Sequence, residues 1–157
     1  MDFTIALKQR ELEHADALRA KLKLLDISLY KAEAAGAGPP LRAVEPVPLN
    51  AQVDSELERR DSAGVDFAVT LRVACNDQLT FHIDATFLVR YQFVDHAKLA
   101  SKSEIEAFRK GPAVLTAWPY LREFVQTVSA RMGFPTEPLP LLRLIPSETG
   151  GYSARVT

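Results

Sequence analysis

Cysteine is nearly absent from this chain. Cys75 stands alone among 157 residues, so an intrachain disulfide framework and a thiolate-built metal cluster are both excluded. An excess of charge of one sign is missing too. Nineteen basic residues face 20 acidic ones, for a formal charge of -1, which gives no global electrostatic case for nucleic acid or an anionic membrane. Long hydrophobic runs are lacking, and none approaches the roughly 18 residues a membrane helix needs. The N-terminal Met1-Asp2-Phe3-Thr4-Ile5 has no basic leader, and Lys8, Arg10 and Glu11 interrupt any apolar stretch behind it. A signal peptide is therefore not expected, and a reducing, cytoplasmic setting is. What remains is 47% hydrophobic and 25% charged, the balance of an ordinary folded protein of one domain spanning 1–157.

Periodicity divides the chain. Residues 2–20 read as an amphipathic helix, with Ile5, Leu12, Ala15, Leu18 and Leu22 on one stripe and Asp2 or Thr4 as its cap. Leu25, Ile27 and Leu29 then alternate with Asp26, Ser28 and Tyr30, which opens a sheet expected over 22–93. Residues 36–50 hold two glycines and four prolines, too many breakers for a helix or an inner strand. They also carry Leu41, Val44, Val47 and Leu49, so an apolar crossover loop is expected there. Three strands follow, near 51–60, 65–75 and 79–93, the last two forming an antiparallel hairpin. Helices are expected over 101–132. Ser101 or Ser103 can open a capping box with Glu104 or Glu106, Gly111-Pro112 interrupts, and Pro119 predicts a kink near 115–118. Gly133 and Pro135 stop the helix, and 133–157 forms a Pro-rich tail that frays.

Chemistry-bearing residues are sparse. His82 and Asp84 lie two apart on one strand and share its polar face. They would serve a small-molecule enzyme of hotdog-like fold, with Asp84 orienting His82, but two side chains projecting in parallel make a poor proton relay. His14 and His96 form no ligand spacing with His82, and no Gly-rich phosphate loop or nucleophile elbow is present. No cofactor and no metal is expected. Cys75 ends the apolar face of a strand, as a small hydrophobe would. The run Trp118-Pro119-Tyr120-Leu121-Arg122-Glu123-Phe124 is more informative. Trp118, Tyr120 and Phe124 cannot share one helical stripe with Leu121, Val125 and Val128. Either two layers of one subunit cover this helix or a partner does, and the sequence favours a subunit interface at Leu121, Val125 and Val128.

The order of strand, Pro-rich crossover, three antiparallel strands and Pro-containing helix resembles the SecB family of protein-export chaperones. Residues 65–73 and 83–89 match its third and fourth strands. The most specific match is Trp118-Pro119-Tyr120-Leu121-Arg122-Glu123, continued by Val128-Ser129-Ala130-Arg131-Met132-Gly133-Phe134-Pro135. The resemblance covers about residues 22 to 145. It implies an α+β fold, a four-stranded antiparallel sheet with helices on one side, here preceded by an N-terminal helix. It also implies a homotetramer built as a dimer of dimers that holds unfolded polypeptides without ATP. Client-binding residues would be Leu41, Val44 and Val47 of the crossover with Trp118, Tyr120 and Phe124 of the helix. Partners would be nascent or unfolded chains and the translocase motor ATPase. In the toxin–antitoxin branch of the family the partner would be an antitoxin. The chain departs from typical members in its near-neutral charge, its aliphatic crossover and its N-terminal helix.

Overall fold

A computed structural model describes residues 2–36, 49–75, 81–94, 100–134 and 136–155. Four long strands make the main sheet: β2 (Leu22–Gly36), β3 (Leu49–Arg60), β4 (Gly64–Cys75) and β5 (Phe81–Phe93). Their order is β2-β5-β4-β3 and every pairing is antiparallel. Alternation places Val65, Phe67, Val69, Leu71, Val73 and Cys75 of β4 on one face, opposite Tyr91, Val89, Phe87, Ala85 and Ile83 of β5. All are buried. At the head of β4, a Cβ on Gly64 would stand 2.0 Å from the Tyr91 carbonyl oxygen, so only glycine fits.

Two helices cover that face, α2 (Lys102–Lys110) and α3 (Pro112–Arg131). Of the two candidate caps, Ser101 is used. Its hydroxyl accepts from the Glu104 amide at 3.1 Å, while the Glu104 carboxylate accepts from the Ser101 amide at 2.9 Å. Pro112 occupies the first turn of α3, where its missing N–H costs nothing. The helix then runs unbroken through Pro119 to Arg131, and Gly133 ends it at φ 77°.

Both ends of the chain differ from the sequence expectation. Residues 2–7 are not helical; they form strand β1 (Asp2–Leu7), and the helix α1 begins at Gln9 and ends at Arg19. Phe3, Ile5 and Leu7 are buried to 2% exposure or less. Their two-residue period overrides the longer helical spacing that included Ile5. Neither Asp2 nor Thr4 caps α1; the Glu11 carboxylate instead accepts the Lys8 amide at 2.9 Å. The tail, expected to fray, supplies β6 (Leu142–Pro146) and β7 (Gly151–Arg155). These flank β1 in a second sheet of order β6-β1-β7, parallel on one side and antiparallel on the other. A lone strand cannot satisfy its backbone, and the tail satisfies this one.

The second sheet lies against α3. Phe3 stacks on Trp118 with ring centroids 4.8 Å apart, and the Trp118 indole N–H donates to the Pro140 carbonyl at 2.9 Å. Where α2 meets α3, a Cβ on Gly111 would come within 2.7 Å of Leu7 Cδ1, so glycine permits this close approach. The helix layer is thus covered twice within one chain, by the main sheet and by the small one. That arrangement explains the apolar residues on more than one face of α3.

Two carboxylates tie α1 and α2 to the rest. Burial alone would raise the pKa of Glu11, but the Lys8 amide and the Lys110 ammonium, 3.1 Å away, hold it below 4.5. Burial would likewise raise Glu104, and the Ser101 amide with the Lys21 ammonium hold it below 4.5. Groups with depressed folded pKa values contribute stability above their unfolded pKa and lose it as pH falls through the folded value. The urea midpoint is therefore expected to be level above about pH 5 and to fall at lower pH. Glu104→Gln should flatten part of that fall, by at most about 1 kcal/mol for one partly exposed pair.

Candidate functional site

The main sheet is wider than the helices above it. α3 packs over β5 and β4, which leaves β2 an overhanging edge. Hydrogen-bond register sets the facing of each β2 residue. Leu22, Leu24, Ile27, Leu29, Ala32 and Ala34 oppose Phe93, Tyr91, Val89, Phe87, Ala85 and Ile83 and so face the helix side. Yet Leu24 is 44% exposed and Leu29 48%. Large apolar side chains left open on the covered side of a sheet mark a surface that a second molecule can use.

The wall of this surface comes from α3. Phe87, next to Leu29 in register, lies 6.0 Å from the Tyr120 ring and 6.2 Å from the Phe124 ring, the latter edge-on at 77°. Tyr120 is 46% exposed and Phe124 half-buried. Deeper in, Tyr91 is buried and its hydroxyl donates to Thr116 at 3.1 Å. Burial pushes the Tyr91 phenol above its ordinary pKa, so it stays neutral and closes the inner end of the wall. Leu24, Leu29, Phe87, Tyr120 and Phe124 together make an apolar shelf, and among the described residues no strand pairs with the outer edge of β2.

The expected site residues divide three ways. Tyr120 and Phe124 are on the shelf. Trp118 is not: at 3% exposure, clamped by Phe3 and Pro140, it is part of the core. Leu121 and Val125 have no exposed surface left, so the subunit interface expected there has nothing to present; the small sheet and the main sheet already cover this helix. Val128 is half-buried and packs on the same core. Leu41, Val44 and Val47 lie outside the described residues. The shelf residues of β2 were missed because Leu25, Ile27 and Leu29 read as one half-buried stripe. Bulges between Leu24 and Asp26 and between Leu29 and Lys31 shift that phase. Ile27 and Leu29 face the helix side, while Leu25 falls within a bulge.

The opposite face of the main sheet is polar and curled. Tyr30 and Glu58, both at bulges on opposite edge strands, meet across it at 3.3 Å. Beneath them the hydroxyls of Thr70 and Thr86 share a hydrogen bond of 2.8 Å. A trough of about 420 Å³ on this side of the sheet is lined by Lys31, Glu33, Asp54, Arg72, Asp84 and the two threonines. Asp66, on the same strand as Thr70, is buried, and Arg59 donates to both of its oxygens at 2.8 and 3.0 Å. The candidate pair of the enzyme alternative sits on this face. His82 is nearest Glu33, at 3.5 Å, and Asp84 opposes Glu33 and Arg72 in register. The long helix follows the sheet in chain order, whereas a hotdog fold places it between early strands. Among the described residues no cluster of side chains has metal-ligating geometry, and no helix is long and apolar enough to cross a membrane.

No family model matches the chain, and no curated protein does. Solved structures do. Mycobacterium tuberculosis Rv1957, a SecB-like chaperone in complex with a ChAD peptide from the Rv1956 HigA1 antitoxin, superposes with a TM-score of 0.71. The match covers 86% of this chain and 99% of that one at 15% identity. This chain has the SecB-like fold. A protein of unknown function from Streptococcus agalactiae overlaps at a TM-score of 0.41 and 12% identity, over 76% of this chain and 97% of that one. The fold expected from Trp118-Pro119-Tyr120 and the paired strands is the fold observed, with the small sheet added.

Proposed function

We propose that this protein is an ATP-independent chaperone of the holdase type. Its client is an extended, apolar polypeptide segment, and the segment class we favour is the exposed tail of an antitoxin. The observation that carries the reading is the shelf of Leu24, Leu29, Phe87, Tyr120 and Phe124. It is apolar, open, and bordered by strand edge, so it offers both hydrophobic contact and backbone pairing to an unfolded chain. A SecB-like fold whose solved counterpart holds an antitoxin peptide supports the same reading. Against export duty stands the chain's near-neutral charge, which offers little to a partner selected by an acidic docking surface. The crossover residues Leu41, Val44 and Val47 also bind the client in this proposal, and the particle is a homo-oligomer acting in the cytoplasm.

Individual contacts of this kind contribute about 25 cal/mol per Å² buried, so tight holding requires a long client and several contacts at once. The test is suppression of aggregation of a chemically denatured client, without nucleotide, followed by light scattering. Wild-type chain is expected to suppress it at near-stoichiometric ratio, and Leu41→Asp with Val44→Asp to weaken it while the particle mass stays constant. His82→Ala and Asp84→Ala should leave holding unchanged. Loss of activity on the histidine and aspartate changes alone would sink the proposal and favour an enzyme on the polar face.

A further inference from the structure

α1 lies antiparallel against α2. Lys110, at the end of α2, reaches Glu11 in the first turn of α1 at 3.1 Å. Lys21, just past α1, reaches Glu104 in the first turn of α2 at 3.1 Å. Between the two helices runs an open cleft of about 500 Å³. Its floor is the buried methyl of Ala107, and its rims are Lys8, Arg10 and His14 of α1 with Lys102 and Ser103 of α2. None of these residues belongs to the shelf, so the cleft stands apart from the chaperone reading.

The charges around the cleft do not cancel. Two carboxylates line it, Glu11 and Glu106, and each already has a cation. Lys110 serves the first, and Arg109 donates to the second at 2.8 Å. Lys8, Arg10 and Lys102 are exposed, and none of them forms an ion pair among the described residues. Folding gives no reason for their placement. Lys8 is the N-cap of α1, Arg10 its second residue, and Lys102 the first residue of α2. The positive pole of a helix disfavours cations in its first turn and favours acids there. Cations gathered around a cleft, where local electrostatics opposes them, mark a binding surface.

We infer that the cleft between α1 and α2 docks a short acidic segment of a partner polypeptide, laid extended with its carboxylates facing Lys8, Arg10 and Lys102. From Lys8 to His14 the helix rises about 9 Å, the length of about three extended residues. A polypeptide also suits the carboxylates of the wall, because its amide N–H groups can donate to Glu11 and Glu106. The phosphate backbone of a nucleic acid only accepts. Among the described residues no Phe, Tyr or Trp lines the cleft to stack a base.

Fluorescence anisotropy tests the site, with a labelled octapeptide of alternating aspartate and serine titrated against the full chain at low salt. The peptide is expected to bind and to be released as salt is raised. The same peptide with asparagine for each aspartate should bind at least tenfold more weakly. Arg10→Glu with Lys102→Glu should also cost at least tenfold. Ser103→Glu alone should weaken binding about threefold. Each of these changes puts an acid into a first helical turn, so the urea midpoint should hold or rise, and lost binding is not lost folding. Arg72→Glu with Arg143→Glu makes the same change in net charge on exposed residues that do not line the cleft, and should leave affinity within twofold. Failure of the aspartate peptide to bind the parent overturns the inference. So does an asparagine peptide that binds equally, or an equal loss in the Arg72 and Arg143 variant. An oligothymidylate of the same length binding more tightly than the peptide would replace the polypeptide with a nucleic acid and overturn it as well.

Discussion

Replacing Val125 with aspartate is expected to unfold the chain rather than to separate its subunits. Val125 has no exposed surface, and neither has Leu121 one turn before it. A carboxylate at that position cannot reach water, and α3 brings no cation to its neighbourhood from Leu121 or Ser129 on the same stripe. Burying a charge without a partner costs several kcal/mol, set against a total stability of about 5–15 kcal/mol for a domain. The cost has a pH signature. A buried aspartate has its pKa raised, so it is neutral in acid and charged at pH 7, and the destabilisation grows as pH rises through that value. Val125→Asp should therefore melt far below the parent at pH 7 and recover part of the difference near pH 5, where the parent's own stability is still level. A folded monomer at pH 7 would mean that Val125 belongs to a subunit contact after all.

The main sheet was legible from sequence because period-two patterning in β4 and β5 has no rival. Val65 to Cys75 and Phe81 to Tyr91 alternate for five or six cycles, and no helical spacing fits them. The ends were not legible, and for a specific reason. Phe3, Ile5 and Leu7 give three apolar positions, too few to outweigh a helical stripe that starts from Ile5 and continues through Leu12 to Leu22. The strand exists because β6 and β7, some 140 residues later, complete its hydrogen bonding, and nothing in residues 2–7 announces them. Missing that small sheet carried a second error with it. Without a layer to cover the outer side of α3, the apolar residues of that helix pointed to a partner subunit. With Phe3 stacked on Trp118, the same residues are core. The shelf was half visible. Tyr120 and Phe124 could be named from the helix motif, but Leu24 and Leu29 depend on where β2 bulges, and bulges leave no signal in an alternating run.

Trp118 and Tyr120, two residues apart on one helix, should give opposite phenotypes. Trp118→Ala removes a large buried side chain, its stack on Phe3 and its hydrogen bond to the Pro140 carbonyl. Such truncations cost about 3–5 kcal/mol, and the Pro140 carbonyl loses its donor as well. The loss should appear as a lower urea midpoint, accompanied by loosening of β1 and β6 in amide exchange, since the indole ties both to α3. Tyr120→Ser with Phe124→Ser removes little that the folded chain uses, because Tyr120 is about half exposed and Phe124 is at the margin of the core. The midpoint should move by less than half as much as in Trp118→Ala. Client affinity should move far more. If a bound segment covers about 100 Å² of these two rings, their loss removes about 2.5 kcal/mol of binding, or roughly seventyfold in Kd. Titrating a fluorescent, unfolded peptide against each variant at a temperature where both are folded separates the two effects. Trp118→Ala should bind as the parent does, and the double serine variant should bind weakly. The reverse pattern would return Trp118 to the client surface and remove Tyr120 and Phe124 from it.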